Sequence, residues 1–382
     1  MKSIFIIGSK GIPARYGGFE TFVEKLTKLK FSDEITYYVS CMSKDSGNFK
    51  YNNAECFNIN VPNLGPIGSV IHVANALKYA YKKIEEEHLN DATVLILGCR
   101  VGLFMKSYYK LFKRKNIKVF VNPDGLEWKR DKWNFLEKKF LRFCEKRLVK
   151  YSDLVICDSK EIQRLMIKMF KIPEEKTVYI AYGADELDTC KNNESFELWC
   201  KENAVSPNQY YLIVGRFVPE NNYETMIAEF MKSSSKRDLV IITNVEQNKF
   251  YNKLKKSTRF NEDTRVKFVG TVYDQNLLSQ IRQNAFAYIH GHEVGGTNPS
   301  LLEALASTKL NILLDVEFNC EVGKASCLYF NKSAGSLSKK IHECEELTDQ
   351  EICEYRSLAK KQILDRYNWK KICLEYENIF TK

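Results

Sequence analysis

Short runs of β-branched and apolar residues alternate with longer amphipathic segments along nearly all of the 382-residue chain. The runs are continuously apolar, a pattern typical of strands that helices cover on both faces. Repeated strand–helix alternation predicts parallel, doubly wound sheets and therefore an α/β fold. The predicted strands span residues 3–9, 35–41, 56–61, 93–98, 118–122, 154–157, 178–182, 210–214, 239–243, 266–269, 285–290, 310–315 and 327–330.

The alternation pauses between residues 186 and 209, where polar residues and a Ser-Pro-Asn breaker predict a linker. We therefore expect two Rossmann-like domains that face a cleft. The predicted boundaries are 1–188 for the first domain, 189–208 for the linker, 209–366 for the second domain and 367–382 for a C-terminal helix. Parallel sheets bind ligands beyond the carboxyl ends of their strands, and the helix N-termini there favour a phosphate.

Composition excludes several classes of protein. With 44% hydrophobic and 28% charged residues, the chain is neither disordered nor of low complexity. Its apolar runs are far shorter than the ~18 residues of a membrane span, and its N-terminus is predicted as a strand rather than a signal peptide. We therefore expect a cytoplasmic protein. Twelve scattered cysteines without a Cys-x-x-Cys pair and only five histidines predict neither a disulfide nor a metal site.

The loop after the first predicted strand runs from Gly8 to Thr21 and ends in Gly17-Gly18 before an amphipathic helix. It matches neither Gly-x-Gly-x-x-Gly nor a P-loop, which argues against a nicotinamide cofactor. Glycines at a helix N-terminus let backbone amides approach an anion. A tight turn with only a capping role is the alternative interpretation.

A second loop, within residues 290–305, combines a glycine turn with the start of a helix. Asn298 is predicted as the N-cap and Pro299 as the first helical residue. Thr297, Asn298 and the amides of the first turn could then bind a diphosphate, and Glu303 could accept hydrogen bonds from a ribose diol. The alternative is a capped core helix with one solvated glutamate.

A third loop follows the strand at 210–214 and begins with Gly215-Arg216. An arginine that emerges there suits a diphosphate, because its fork of donors can bind two oxygens at once. The alternative role for Arg216 is an ion pair with Glu220.

Together these loops resemble those of GT-B glycosyltransferases, in particular the retaining, nucleotide-sugar-dependent E-x7-E superfamily (glycosyltransferase family 4-like). In this resemblance the glycine pair at 17–18 belongs to the first domain, Arg216 contacts phosphate, and Glu303 is the second Glu of E-x7-E. The C-terminal helix of such folds packs back on the first domain. More narrowly, the segments 11–20, 122–130 and 295–299 are similar to bacterial capsule and cell-wall rhamnosyltransferases.

The sequence departs from the superfamily pattern at two positions. Gly295 stands where the first Glu of E-x7-E is expected, and Asn221 stands where a Lys usually follows the Gly-Arg motif. A site with fewer polar groups suits a less hydroxyl-rich 6-deoxy sugar, so we expect rhamnose rather than glucose.

The resemblance also implies roles for individual residues. Asp124, which follows the strand at 118–122, is expected to contact the transferred sugar or the acceptor hydroxyl. The alternative is that Pro-Asp-Gly forms a turn and Asp124 caps the following segment. The catalytic candidates are Asp124, Gly18 and Arg216. The donor-binding candidates are Gly17, Arg216, Asn221, His292, Gly295, Gly296, Thr297, Asn298, Ser300 and Glu303. The acceptor-binding candidates are Lys10, Arg15, Tyr16, Lys129 and Arg130.

The net charge of +10 is concentrated in one stretch, since residues 103–150 hold 15 Lys and Arg against 5 Asp and Glu. Within it, residues 129–150 show apolar side chains at helical spacing among basic ones, which predicts peripheral contact with an anionic membrane. The apolar residues of this stripe are Trp133, Leu136, Phe140, Phe143 and Leu148. A domain helix whose aromatic stripe is core is the alternative. No nucleic-acid-binding module is present, so no nucleic acid is expected.

The resulting hypothesis is a hexosyltransferase at the inner face of the cell membrane. It moves rhamnose from a dTDP- or UDP-linked sugar to a saccharide on a polyprenyl diphosphate, with no cofactor other than that substrate. A sugar-nucleotide epimerase and a non-catalytic membrane-surface scaffold of the same fold are the alternatives.

Overall fold

The computed structural model describes residues 1–14, 17–62, 65–130, 133–185 and 194–382. The chain divides into two compact units, one formed by Met1–Tyr182 with Trp369–Lys382 and the other by Gly183–Asn368. Each unit is built on one largely parallel sheet with helices between successive strands. This arrangement confirms the predicted α/β fold class with two Rossmann-like domains.

Among its described residues, the first unit holds eight strands: β1 (Lys2–Ile7), β2 (Ile35–Ser43), β3 (Gly47–Tyr51), β4 (Ala54–Asn60), β5 (Ala92–Leu97), β6 (Lys118–Asn122), β7 (Leu154–Cys157) and β8 (Thr177–Tyr179). Their order in the sheet is β3-β4-β2-β1-β5-β6-β7-β8. Of the strand pairs formed by described residues, only β3–β4 is antiparallel. The strand order reverses beside β1, which pairs with β2 on one side and with β5 on the other, and ligands of doubly wound sheets bind at such a point.

The described helices between these strands are α1 (Gly18–Lys28), α2 (Pro66–Glu86), α3 (Met105–Lys113), α4 (Phe135–Lys150) and α5 (Lys160–Phe170). Strand β3 was not predicted from the sequence, because it has no apolar run and four of its five residues are exposed.

The part of the second unit that the structure describes holds six strands: β9 (Tyr210–Val214), β10 (Asp238–Ile242), β11 (Val266–Phe268), β12 (Ala287–His290), β13 (Asn311–Leu314) and β14 (Leu328–Phe330). They are all parallel, in the order β11-β10-β9-β12-β13-β14. The helices of this unit are α6 (Glu194–Glu202), α7 (Tyr223–Lys232), α8 (Lys249–Thr258), α9 (Gln275–Gln283), α10 (Pro299–Ser307), α11 (Glu317–Gly323), α12 (Ser336–Glu346) and α13 (Asp349–Arg366).

The central strand β9 shows why the strands are continuously apolar. Tyr211 and Ile213 pack into the core on one face of the sheet, whereas Tyr210 and Leu212 pack into a separate core on the other face. Because helices cover both faces, neither set of alternating side chains can be polar.

The last helix, α14 (Trp369–Thr381), belongs to the first unit. Its Tyr376 ring lies 4.6 Å from the ring of Phe22 on α1. Glu377 accepts hydrogen bonds from the backbone amides of Phe31 and Ser32, at 3.0 and 2.8 Å, and from the hydroxyl of Tyr37 at 3.1 Å. Three hydrogen bonds to the buried Glu377 carboxylate therefore link α14 to β2 and to the segment that leads into it.

The structure corrects the predicted linker at 189–208 and the predicted end of the first domain at 188. The first unit ends at Tyr182. Residues 194–202 form α6, whose Phe196 and Trp199 are buried in a core of the second unit together with Tyr210. The first part of the predicted linker, up to residue 193, lies outside the described residues.

Within the described residues, no helix is long and apolar enough to cross a membrane. The same part of the chain contains no group of three or more His, Cys, Asp or Glu that could hold a metal ion. Its eleven cysteines carry free thiols, and nine of them are buried.

Candidate active site

The loops that follow β9 and β12 lie side by side, because these two strands are neighbours in the second sheet. The side-chain amide of Asn222, in the first loop, donates to the carbonyl of Gly291 in the second loop at 2.8 Å. The Tyr288 hydroxyl on β12 donates to the carbonyl of Val214 at the end of β9, at 3.1 Å. The structure thus brings together the two loops of this unit that the sequence analysis selected.

Arg216 is exposed at the carboxyl end of β9. Its guanidinium has no hydrogen-bond or ion-pair partner among the described residues. The alternative ion pair with Glu220 does not form, because Glu220 is buried and its Oε2 has no hydrogen-bond partner among those residues. An exposed guanidinium without an internal partner can bind an anion without first breaking an ion pair.

Asn221, a donor-binding candidate, is buried and has an internal role. Its Nδ2 donates to the carbonyl of Arg216 at 2.7 Å, and its Oδ1 lies 2.6 Å from Nδ1 of His292. Because an amide oxygen only accepts, Nδ1 of His292 carries the proton in this contact. The residue that replaces the expected lysine therefore joins the two loops, and both polar atoms of its side chain are occupied.

The N-terminus of α10 has the predicted cap. The Asn298 side chain accepts from the amides of Ser300 and Leu301, at 2.9 and 3.4 Å, and Pro299 is the first helical residue. These two amides were expected to be available to a diphosphate, but the cap already uses them. The Ser300 hydroxyl also points inward, since it donates to the carbonyl of Val214 at 3.2 Å.

Gly295 and Gly296 lie in the turn before this cap, and Thr297 is buried beside it. Gly295 has a φ of 141°, and a Cβ atom at this position would lie 3.2 Å from Nε2 of His292. The superfamily pattern has a glutamate at this position. In this protein both the positive φ of Gly295 and the neighbouring His292 imidazole disfavour any side chain there.

Glu303 lies on α10, one turn beyond the cap. Its Oε2 is 2.6 Å from Nη2 of Arg282, a residue of α9 whose side chain is only 3% exposed, whereas the Glu303 side chain is 35% exposed. Arg282 was not predicted from the sequence, because it and Glu303 are on different helices.

A second residue that the sequence analysis missed is His290, at the end of β12. It is buried, and burial lowers the pKa of its imidazole to about 3. Its Nδ1 lies 3.3 Å from the Tyr288 hydroxyl, and its ring centroid lies 5.8 Å from that of His292. At neutral pH this imidazole is therefore uncharged and contributes no positive charge to the site.

The glycine loop of the first unit is held by carboxylates of α1. The Lys10 amide donates to Oε1 of Glu20 at 2.6 Å, and the Ala14 amide donates to Glu24. Gly17 has a φ of 129°, and a Cβ there would lie 2.0 Å from Oε2 of Glu20. The glycine at 17 is thus required by its backbone conformation and by the internal carboxylate beside it. The candidates Arg15 and Tyr16 lie outside the described residues.

Asp124 follows β6 with a φ of 66°, and its backbone amide donates to Oδ1 of Asn122 at 3.1 Å. Asp124 therefore lies in a turn, which is one part of the alternative interpretation. Its carboxylate, 32% exposed, lies 3.5 Å from the guanidinium of Arg130. Arg130, an acceptor-binding candidate, is buried and pairs with Glu127 at 3.0 Å. Arg130 therefore supports the Asp124 loop from inside, whereas the candidate Lys129 is exposed.

Helix α4 begins at Phe135, later than the predicted 129, and its apolar stripe is largely exposed. Phe135 is 69% exposed, Leu136 74%, Phe140 46% and Phe143 47%, while Leu148 is buried. The alternative interpretation of this stripe as core is therefore wrong for Leu136, Phe140 and Phe143 and correct for Leu148, whereas Phe135 was not part of the predicted stripe.

A cavity of about 570 Å³ lies in the second unit beside β10 and β11. Its lining includes Thr243, Asn244, Tyr251, Phe260 and Thr271. None of the predicted site residues lines this cavity, so it is separate from the loops after β9 and β12.

Comparisons with known proteins agree with this fold. Residues 1–185 match the family described as "Domain of unknown function (DUF1972)", and residues 197–362 match "Glycosyl transferases group 1". The chain is similar to the uncharacterized glycosyltransferase MJ1069 of Methanocaldococcus jannaschii, with 23% identity over 96% of this chain and 95% of that protein.

Solved structures with the same fold cover the whole chain. Sucrose-phosphate synthase from Thermosynechococcus elongatus has a TM-score of 0.80 at 14% identity and covers 100% of this chain and 98% of its own. Anabaena HepE in complex with UDP has a TM-score of 0.73 at 15% identity and covers 100% of both chains. These structures show that the chain has the GT-B fold, and the match to "Glycosyl transferases group 1" lies within its second unit.

Proposed function

We propose that the protein transfers a hexosyl residue, rhamnose, from a dTDP- or UDP-linked donor to a saccharide on a polyprenyl diphosphate in surface-polysaccharide synthesis. The observation that carries this proposal is the exposed guanidinium of Arg216, which lies at the carboxyl end of β9 beside the loop that leads into α10 and has no partner within the part of the chain that the structure describes. The similar HepE structures hold UDP, UDP with glucose, and UDP-glucose, which supports a nucleotide sugar as the donor here.

Arg216 would stabilise the leaving group. When the bond between the sugar and the diphosphate breaks, negative charge develops on the diphosphate. A guanidinium can donate to two of its oxygens, and such charge-assisted hydrogen bonds strengthen as the charge grows. Glu303, which keeps about a third of its side chain exposed, would accept hydrogen bonds from the sugar hydroxyls of the nucleoside and so hold the donor in register.

In this proposal the first unit binds the acceptor. The partly exposed Asp124 carboxylate would orient the acceptor hydroxyl or stabilise positive charge on the sugar ring during transfer. Gly18, at the start of α1, would let the acceptor or the transferred sugar approach the backbone closely.

The preference for rhamnose rests on Gly295. A hydroxyl-rich sugar needs a polar partner for each buried hydroxyl, and the first Glu of E-x7-E is absent here. A 6-deoxy sugar has one hydroxyl fewer to satisfy. The φ of Gly295 and the nearby His292 ring support this argument, because they disfavour a carboxylate side chain at that position.

A lipid-linked acceptor is supported by the surface of α4. Phe135, Leu136, Phe140 and Phe143 are exposed there among basic residues, and the ammonium of Lys139 lies 4.4 Å from the Phe135 ring centroid. Exposed aromatic and aliphatic side chains interleaved with lysines suit the interface of an anionic bilayer, where rings enter the headgroup layer and ammonium groups pair with phosphates. We therefore place the enzyme peripherally at the inner face of the cell membrane.

Turnover of defined substrates tests the transfer reaction. The purified protein is incubated with dTDP-rhamnose or UDP-glucose and with glucose, galactose or N-acetylglucosamine on a polyprenyl diphosphate, and released nucleoside diphosphate is measured. We expect the rhamnose donor to be turned over only with an acceptor, and Arg216→Ala to lower kcat about 100-fold or more. Arg259→Ala, which changes an exposed arginine elsewhere in the second unit, should leave kcat unchanged.

Other outcomes contradict specific parts of this proposal. Equal use of UDP-glucose would refute the 6-deoxy preference. A changed donor sugar formed without acceptor would indicate an epimerase, and no binding of either nucleotide would indicate a non-catalytic scaffold. An unchanged kcat in Arg216→Ala would remove that residue from the reaction.

Vesicle sedimentation tests the membrane contact. We expect the protein to bind vesicles that contain 30% phosphatidylglycerol. Changing both Phe135 and Leu136 to Ser should weaken binding about 100-fold or more, because burial of each apolar side chain in the membrane contributes at least ~1.5 kcal/mol to the binding free energy. The matched control changes Leu358 and Leu364, two exposed leucines of α13, to Ser. Equal loss in both variants, or no binding by the wild type, would refute the role of α4.

A further inference from the structure

We infer that Arg282 is a positioning residue, which holds the Glu303 carboxylate in the orientation that recognises the sugar hydroxyls of the donor nucleoside. This inference rests on the proposed function, because it assumes a nucleoside diphosphate in the second unit. It assigns a role to a side chain that is too buried to touch the donor freely.

The contact between the two residues is short and asymmetric in exposure. Nη2 of Arg282, on α9, lies 2.6 Å from Oε2 of Glu303, on α10. The Arg282 side chain is 3% exposed, and its Nε is buried without a hydrogen-bond partner among the described residues. The Glu303 side chain is 35% exposed. The guanidinium thus lies behind the carboxylate, on its protein side, and the carboxylate is open to solvent on the other side.

This geometry divides the two carboxylate oxygens between two tasks. Oε2 accepts from Arg282, while no described residue donates to Oε1. A free glutamate on a helix surface samples several rotamers and loses that freedom when it binds a ligand. The ion pair removes this freedom before the ligand arrives, so the cost of ordering Glu303 is not subtracted from the binding energy.

Stability alone is a poor reason for such a pair. An ion pair with one buried partner gains little over apolar side chains of similar volume, because desolvation of the charge offsets the attraction. Burial raises the pKa of the Tyr288 hydroxyl, the Arg282 charge lowers it and the Glu303 charge raises it, so both charged groups lie near this hydroxyl. The same hydroxyl donates to the carbonyl at the end of β9, where the Arg216 loop begins. The pair therefore lies next to the strand end that carries the phosphate-binding candidate, where an oriented carboxylate serves the ligand.

The test compares nucleotides with and without the relevant hydroxyls. Calorimetric titration uses UDP against 2′,3′-dideoxyuridine diphosphate, and dTDP against 3′-deoxythymidine diphosphate. In the wild type we expect the hydroxyl-bearing member of the better-bound pair to bind about 10-fold or more tightly, since one charge-assisted hydrogen bond is worth ~1.5 kcal/mol or more. Arg282→Met should reduce this ratio to about 3-fold or less, while the affinity for the deoxy member changes less than about 3-fold.

The variants are chosen to remain folded. Arg282→Met replaces the guanidinium with an unbranched apolar side chain and leaves Glu303 partly solvated, so no buried charge is stranded. Glu303→Gln on the Arg282→Met background tests whether the lost ratio belongs to the carboxylate, and it should produce no further change. Arg282→Lys keeps the charge but not the fork of donors, and it should give an intermediate ratio.

Failure of this inference differs from failure of the proposed function. If the wild type prefers the hydroxyl-bearing nucleotide and Arg282→Met retains the full ratio, Arg282 has only a structural role and the inference is wrong. If Arg282→Met weakens both members of a pair equally, the residue supports the fold of the site rather than the orientation of Glu303. If the wild type binds neither pair, or binds both members equally, the proposed nucleoside contact of Glu303 fails, and the inference fails with it.

Discussion

Restoration of the missing carboxylate by Gly295→Glu is expected to harm the protein rather than improve it. The superfamily pattern places a glutamate at this position, so a purely sequence-based view predicts a gain in activity. The structure predicts the opposite, because Gly295 has a φ of 141° and a Cβ there would lie 3.2 Å from Nε2 of His292.

The expected loss in the free energy of unfolding has two contributions. A residue with a side chain held at this positive φ costs about 1–3 kcal/mol. The Cβ contact requires the His292 ring to move, but its Nδ1 is bonded to Oδ1 of Asn221 at 2.6 Å, and loss of that hydrogen bond costs about 1 kcal/mol. We therefore expect Gly295→Glu to lose roughly 2–4 kcal/mol in total.

Urea denaturation of four variants separates these contributions. Gly47 provides the matched control, since its φ is 145° and nothing lies within 4 Å of a Cβ built on it. Gly47→Ala measures the backbone cost alone, and Gly295→Ala adds the contact with His292. The second variant should lose about 1 kcal/mol more than the first. Gly47→Glu and Gly295→Glu repeat the comparison with the full side chain.

Turnover with the best donor completes the assay, and we expect Gly295→Glu to have lower kcat/KM than the wild type. The reasoning is refuted if Gly295→Glu is as stable as the wild type and turns over donor faster. It is also refuted if Gly295→Ala and Gly47→Ala lose equal stability, because the His292 contact would then carry no energy.

Three further predictions concern stability and use urea denaturation. Glu303→Ala should lower the free energy of unfolding by about 3 kcal/mol or more, because it leaves the buried guanidinium of Arg282 without its ion-pair partner. Arg282→Met should lower it by less than half as much, and equal losses in the two variants would contradict this prediction. Glu377→Ala should lower the free energy of unfolding by about 2–4 kcal/mol, because three hydrogen-bond donors lose their acceptor. A loss below ~1 kcal/mol would show that water replaces the carboxylate as the acceptor. Burial raises the pKa of Glu145 from its usual 4.5 to about 7. The folded state therefore binds more protons than the unfolded state between these values, and this group makes stability fall as pH rises through that window. Glu145→Gln should remove about 3 kcal/mol of that fall between pH 4.5 and 8, and an unchanged pH dependence would refute the assignment.

Much of the fold could be predicted from the sequence, because buried parallel strands need continuous apolar runs. Every strand with such a run was predicted, and β3 was missed since it is an exposed edge strand. The linker prediction failed for a related reason. Residues 194–202 carry Phe196 and Trp199 at helical spacing, but the helix has only nine residues, and its polar surroundings resemble a loop.

The local features of the site were also predictable. An N-cap depends on residues within one turn, so Asn298 and Pro299 could be identified from their order alone. Contacts between elements could not. Arg282 and Glu303 are 21 positions apart on separate helices, and nothing in the local sequence of α9 indicates that its arginine is buried.

The candidates that have internal partners follow one physical rule. Asn221 was selected because it stands where the superfamily pattern has a lysine, and Arg130 was selected as a cation that could bind the acceptor. A loop that carries ligands must itself be held in place, however, and its own backbone groups need partners. Asn221 supplies such partners between two loops, Arg130 neutralises Glu127, and the carboxylate of Glu20 accepts from the glycine loop. Polar residues near the site therefore divide into those that hold the loops and those left for the ligand, and only tertiary structure makes this division. By this criterion the exposed guanidinium of Arg216 and the second oxygen of Glu303 are the candidate groups among the described residues that remain available to a donor.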